Sequence, residues 1–303
     1  MGKELIIGTR GSKLALIQTE LVVEALKKTI GVKIVPKTIS TKGDQQQDLS
    51  LRRTTGEGVF VREIEAALLR GEIDLAVHSL KDLPVEETPG LKLQAFLKRE
   101  DPREAFLAST NIQFADLADG AVIGTSSLRR IIQLQKIQPS YFYRDIRGNI
   151  DTRIRKMKEG SYEGIILAVA GLKRLQLTDN IRQIFNFSEC LPAVGQGVIA
   201  IQMRQDFNNR EVLLALDKLN DIQTELAVTA ERSFLKQLGG GCRLPVGALA
   251  TVTDNSILLF GMVADTTGEK LLKNRLAGGI NTPDVIGKRL ADWFLQKGII
   301  DWN

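Results

Sequence analysis

Apolar and polar positions fall along the chain in blocks that predict strand, helix and strand in turn. The short run Glu4 to Gly8 reads as a buried strand, and Ser12 caps a helix whose apolar side is Leu14, Ile17, Leu21 and Ala25. Val32 to Ile39 predicts a second strand, Phe60 to Leu69 an amphipathic helix, Ile73 to Val77 a third strand and Leu91 to Lys98 another. This β-α-β-α-β order builds a parallel sheet with ligand groups at the carboxyl ends of its strands. Residues 40–58 show no period, and a loop of that length in a compact domain is expected to be either functional or mobile.

Past Asp101-Pro-Arg-Glu-Ala-Phe106, which reads as a crossing into a second unit, the order repeats. A strand at Ala121 to Gly124, a helix to Ile137, a strand at Tyr141 to Ile146, a helix to Lys158 and a strand at Gly164 to Val169 predict a second lobe like the first, the two facing a cleft. Gly195-Gln-Gly197-Val-Ile-Ala200 fits a dinucleotide fingerprint, but Val198 to Met203 reads as strand where the fingerprint must open a helix, so it is taken as a glycine hinge between lobes. A helix at Asp221 to Leu238, strands at Val246 to Val252, Ile257 to Val263 and Glu269 to Leu276, and a helix at Pro283 to Gln296 close the chain as a small α+β domain. The fold class is α/β: two lobes with mainly parallel sheets, plus a C-terminal α+β domain with a three-stranded antiparallel sheet.

Composition changes this picture little. Hydrophobic residues make up 43% and charged residues 25% of 303, ordinary for a globular protein. No apolar run is long enough to span a membrane, and none at the start resembles a signal peptide, which predicts a cytoplasmic protein without membrane partners. The net charge of +5 favours an acidic partner. Three Tyr and two Trp are few for base stacking, which argues against nucleic acid. With one histidine a His-based metal site is nearly excluded, and no metal is expected. Cys190 and Cys242 form no disulfide framework and suit a reducing compartment; Cys190 reads as a small core hydrophobe.

Candidate chemistry gathers at the turns. Gly8 to Lys13 is too short for a phosphate loop, but Arg10 and Ser12 stand at a strand-to-helix turn that favours an anion. Lys81 and Asp82, in His78-Ser-Leu-Lys-Asp-Leu-Pro84, follow the third strand; His78 lacks a hydrolase context and reads as structural. In the second lobe Arg129, Arg130, Arg147, Arg153, Arg155, Lys173 and Arg174 lie where strands end and helices begin. Thr125, Ser126, Ser127 and Gly148 set small, donor-rich turns beside them, a pattern suited to carboxylate or phosphate. Leu238-Gly-Gly-Gly-Cys-Arg-Leu-Pro-Val-Gly247 presents Cys242 on a backbone stripped of Cβ atoms, with Arg243 favouring its thiolate.

Six stretches together resemble the porphobilinogen deaminase (hydroxymethylbilane synthase) family: Val77 to Pro84, Gly124 to Arg130, Arg147 to Asn149, Ile166 to Arg174, Leu191 to Gly197 and Gly240 to Gly247. They span nearly the whole chain in the family's order. The resemblance implies periplasmic-binding-protein-like lobes and three domains: residues 1–98 with 195–217, residues 99–194, and residues 218–303. It implies that Cys242 carries a dipyrromethane cofactor through a thioether. On that primer a transferase of tetrapyrrole (heme and chlorophyll) biosynthesis condenses four porphobilinogen molecules head to tail, releasing ammonia, before hydrolysis frees hydroxymethylbilane. Asp82 matches the catalytic aspartate. Lys81, Thr125, Ser127, Arg129, Arg130, Arg147 and Gly148 match positions that hold the cofactor, and Arg10, Ser12, Arg147, Arg153 and Arg174 positions that hold substrate. A monomer with a small-molecule substrate is expected.

The sequence also departs from the family. Glu57 stands where lysine is common and Lys42 where arginine is frequent, so residues 40–58 are given no substrate contact and are expected to act as a mobile lid. A competing reading is a non-catalytic two-lobed anion-binding protein, which needs neither Cys242 on its glycine loop nor Asp82. A basic nucleic-acid binder, with steep salt dependence, is a third.

Overall fold

The computed structural model describes residues 4–40, 61–240 and 244–299. Cys242 and all of the predicted loop 40–58 except Ser40 lie outside the described residues. The chain forms two compact units, one of Met1–Arg99 with Val198–Leu226, the other of Glu100–Gly197 with Ala227–Asn303.

The first unit holds strands β1 (Leu5–Arg10), β2 (Ile34–Ile39), β3 (Leu75–Ser79), β4 (Leu91–Phe96) and β10 (Ile199–Arg204), in the order β2-β1-β3-β10-β4. β1 pairs in parallel with β2 and β3, whereas β10 is antiparallel to both β3 and β4, so four strands share one direction and the late-arriving β10 opposes them. Alternation divides the core between the two faces. Leu5, Ile7, Leu75, Val77, Ile199 and Ile201 pack with Val22 and Leu26 of α1 (Lys13–Lys27) and with Val212 and Leu216. On the other face Ile73 and Leu91 pack with Ile64 and Leu68 of α2 (Arg62–Leu69).

Helix α1 forms where predicted but turns a different face inward. Its buried residues are Gln18, Thr19, Val22, Val23 and Leu26, while Leu21 is 47% exposed. Apolar residues ring this helix, so two stripes competed, and the one interrupted by Gln18 and Thr19 packs on the sheet.

The second unit contains β5 (Glu104–Leu107), β6 (Val122–Gly124), β7 (Phe142–Arg144), β8 (Gly164–Ala168) and β9 (Ile181–Ile184), ordered β7-β6-β8-β5-β9. β6 is parallel to β7 and β8, and β5 is antiparallel to β8 and β9. The arrangement reproduces the first sheet strand for strand. The crossing segment 101–106 thus contains a sheet strand of its own, which together with β9 the apolar pattern did not predict. Three aromatic rings, of Phe106, Tyr141 and Phe185, stand edge-on around Phe114 at 5.2 to 5.3 Å in one core. Cys190 is fully buried there, as its reading as a hydrophobe requires. Helices α3 (Leu128–Gln135), α4 (Ile150–Lys156) and α5 (Val169–Arg174) follow β6, β7 and β8.

After β10 come α6 (Arg210–Leu219), also not predicted, and α7 (Ile222–Gln237). The C-terminal sheet is antiparallel, β11 (Val246–Val252), β12 (Ser256–Ala264) and β13 (Leu271–Gly279), covered by α8 (Pro283–Gln296). Its Leu249, Met262 and Ala264 pack on Ile132 of α3 and on Leu191, within the second unit. No helix among the described residues is long and apolar enough to cross a membrane.

Candidate active site

In the first unit the parallel pairing of β1 with β3 brings their carboxyl ends together. β1 ends at Arg10, and Ser12 caps α1, its Oγ accepting from the Ala15 N–H at 3.3 Å. β3 runs into a single 3₁₀ turn, Leu80–Asp82, which the buried Leu80 anchors by donating its N–H to the Val198 carbonyl at 3.0 Å. Lys81 and Asp82 are left exposed at the end of this turn. A small cavity of about 50 Å³ is lined by Arg10, Ser12, Gln18, His78, Ser79 and Asp82, so a cation and a carboxylate share one recess.

Two members of this recess went unnoticed in the sequence. Gln18 is buried and its amide lies 2.9 to 3.0 Å from the Ser79 hydroxyl. A polar residue one helical turn from Leu14, on a helix rich in apolar residues, was the available signal.

His78 is buried and structural. Its Nε2 lies 3.1 Å from Gln202 Oε1, while Gln202 Nε2 donates to Glu65 Oε1 at 2.8 Å and the Thr88 hydroxyl donates to Glu65 Oε2 at 2.8 Å. Because the Gln202 amide spends its N–H on Glu65, its oxygen accepts from His78, which fixes the proton on Nε2. Burial pushes the imidazole down to about 4, and the nearby Arg10 adds to this against the Gln202 hydrogen bond.

In the second unit Thr125, the residue after β6, is fully buried, its hydroxyl accepting from the Ser127 N–H at 3.3 Å, and Ser126 Oγ donates to the Ile146 carbonyl at 2.8 Å. Ser127 is the N-cap residue of α3. Arg129 and Arg130 in its first turn are only 7% exposed. Arg129 donates to the Leu191 carbonyl at 2.6 Å and to Glu104 Oε1 at 2.6 Å, and Arg130 donates to the Ile166 carbonyl at 2.9 Å. Gly247, in the segment that follows Cys242, abuts Arg129: a Cβ placed on it would stand 3.3 Å from Arg129 Cδ.

Arg147 is half-buried, with Nη2 3.4 Å from Asp145. Gly148 takes the left-handed backbone, φ 109°, and its carbonyl accepts from Arg153 Nε at 2.7 Å. Arg174 donates to the Gly197 carbonyl at 2.6 Å; burial lowers its pKa, and Glu100 opposes that. Arg155 is an exposed helix cation paired with Glu159, and Lys173 pairs with Glu100 at 2.9 Å. Gly195 and Gly197 have φ of 70° and 88°, and a strand, β10, follows them where a dinucleotide fingerprint would need a helix.

Residues 5–212 match the family profile "porphobilinogen deaminase, dipyromethane cofactor binding domain", and residues 225–296 match "porphobilinogen deaminase, C-terminal domain". The chain is 46% identical over 301 residues to the porphobilinogen deaminase of Carboxydothermus hydrogenoformans, covering 98% of this chain and 96% of that one. It is 45% identical over 299 residues to that of Roseiflexus sp. (strain RS-1), covering 98% of each. Among solved structures it aligns with the probable amino-acid ABC transporter extracellular-binding protein ytmK of Bacillus subtilis, with TM-score 0.45 and 11% identity over 72% of this chain and 90% of that one, a similarity that carries no statement about function.

Proposed function

The chain belongs to the porphobilinogen deaminase family, and from that premise we propose how its residues divide the work. The enzyme is a transferase that condenses porphobilinogen in tetrapyrrole biosynthesis and uses a dipyrromethane cofactor. Cys242 is the residue we assign to carry that cofactor through a thioether, four porphobilinogen molecules being added before hydrolysis releases hydroxymethylbilane. When bound, the primer supplies a nucleophilic pyrrole carbon and a set of acetate and propionate groups.

The residues present fit such a group. Nε of Arg130, the residue after the Arg129 that Gly247 abuts, is buried without a hydrogen-bond partner among the described residues. The abutment of Gly247 on Arg129 is the observation that carries the assignment, because the strand β11, which follows Cys242 in the chain, begins beside an arginine suited to a cofactor carboxylate. Arg129, Arg130, Arg147, Lys81, Thr125, Ser127 and Gly148 are assigned to hold cofactor carboxylates, and Arg10, Ser12, Arg147, Arg153 and Arg174 to hold substrate carboxylates. Fork-shaped guanidinium groups meet such carboxylates two bonds at a time.

Asp82 is assigned the chemical step. Its carboxylate, exposed at the end of β3 on an anchored turn, can accept from pyrrole N–H groups and oppose the positive charge left on the substrate when ammonia departs. Placing the domain limits at residues 1–98 with 195–217, 99–194 and 218–303 is supported by each of the three sheets keeping to one domain. A cytoplasmic monomer accords with a thiol that must stay reduced until it is alkylated and with a site whose assigned residues all come from one chain. A non-catalytic anion binder leaves both Asp82 and Cys242 without a role and is set aside.

The mass of the denatured protein tests the assignment. It should exceed the polypeptide by two linked pyrrole rings, and Cys242→Ser should lose that increment. Asp82→Asn should keep the increment while turnover falls by about 10²-fold or more. An unmodified but fully active wild type would overturn the role of Cys242, and wild-type turnover in Asp82→Asn would remove Asp82.

A further inference from the structure

Glu104 opens β5 with no exposed surface, yet it meets two cations. Its Oε1 accepts from Arg129 Nη2 at 2.6 Å, and its Oε2 lies 2.8 Å from Arg130 Nη2 in an ion pair whose angle falls short of a hydrogen bond. Neighbouring residues on a helix point about 100° apart. The side chains of Arg129 and Arg130 would therefore diverge from the start of α3 unless a shared acceptor drew them together. β5 supplies that acceptor, because its antiparallel pairing with β8 sets Glu104 opposite Ala168, close to the Ile166 carbonyl that Arg130 also uses.

Both arginines are over nine-tenths buried, and each meets the Glu104 carboxylate. A buried ion of that kind is tolerated in a protein interior when counter-charge meets it. The buried Arg130 Nε, with no acceptor among the described residues, marks a donor that a ligand can satisfy.

We propose that Glu104 is a positioning residue that clamps Arg129 and Arg130 side by side, so that the two guanidinium groups stand ready together for the carboxylates of the pyrrole chain. The inference rests on the reading of these arginines as carboxylate ligands. Glu104 itself touches no substrate. It acts by fixing the direction of two guanidinium planes before a ligand arrives, which lowers the ordering cost of binding.

Glu104→Gln, nearly equal in shape but uncharged, separates this role from plain structural support. Expected results are a larger fraction of folded chains lacking the two-ring mass increment and, in the chains that carry it, a kcat lowered about tenfold with the KM for porphobilinogen changed by less than about threefold. Glu104→Asp keeps the charge with a shorter reach and should fall between wild type and Glu104→Gln in the mass distribution and in kcat. A residue that merely held the fold together would lower the melting temperature and leave kcat and the mass distribution of the folded protein at wild-type values, which would overturn the proposal. Should Glu104→Gln fail to fold, Glu104→Asp carries the test: a kcat lowered several-fold supports the clamp, and wild-type kcat and mass overturn it. A wild type that itself lacks the mass increment would instead defeat the underlying reading, whatever the variants do.

Discussion

His78 illustrates how a single side chain can be read two ways. Next to Asp82 it invites a catalytic role, but its Nε2 is spent on Gln202 in a chain that continues through Glu65 to Thr88, and burial holds its imidazole at about 4. The unfolded chain takes up this proton near 6.5, well above the folded value. Stability from a neutral, buried histidine is therefore whole above pH 6.5 and is lost as pH falls from there towards 4, by up to about 3 kcal/mol at about 1.4 kcal/mol per pH unit. Denaturant titrations at pH 7 and pH 4.5 should show this loss in the wild type and a shallower one in His78→Gln. Equal slopes would mean that the imidazole is not held neutral.

At the scale of elements, close approach decides which residues are tolerated. Helix α8 meets α7 at Gly287, where a Cβ would lie 2.6 Å from the Phe234 amide nitrogen and closer still to the Ala230 carbonyl oxygen. Phe234 and Phe294 complete the same contact edge-on, 5.5 Å apart. Gly287→Ala must push the helices apart and should cost about 1 to 3 kcal/mol, read as a lower denaturant midpoint. An unchanged midpoint would show that the two backbones do not pack this tightly. The inward face of α1 belongs to the same scale: it was decided by the sheet beneath it and not by the most apolar stripe the helix offers.

On the scale of the molecule, the two five-stranded sheets share one plan, three parallel strands followed by an antiparallel strand and an outer strand. In each, the antiparallel strand comes from outside the run that builds the rest: β5 precedes β6, β7 and β8, and β10 returns after the whole second sheet. β10 contributes Ile199, Ile201 and Met203 to the first unit's core. A fragment ending at Gly197 should thus leave the first unit without the inner strand that joins β4 to β3, bind a hydrophobic dye and melt without cooperativity. Cooperative melting of residues 1–99 in that fragment would show that β10 is dispensable.

The amino-acid sequence determined most strands and helices, the antiparallel C-terminal sheet and the chemical character of the site, because these depend on short-range periodicity, on glycine and proline punctuation, and on which side chains carry charge at turns. Elements too short or too evenly apolar to show a period, such as β5 and β9, were settled by pairing with distant strands. Tertiary structure alone decided that Arg129 and Arg130 are buried around Glu104, that Gln18 and Ser79 join Asp82 in one recess, and that His78 hangs on Gln202. Each of these unites residues far apart along the chain, and their partnership depends on strand register and helix rotation, which only the packed core fixes.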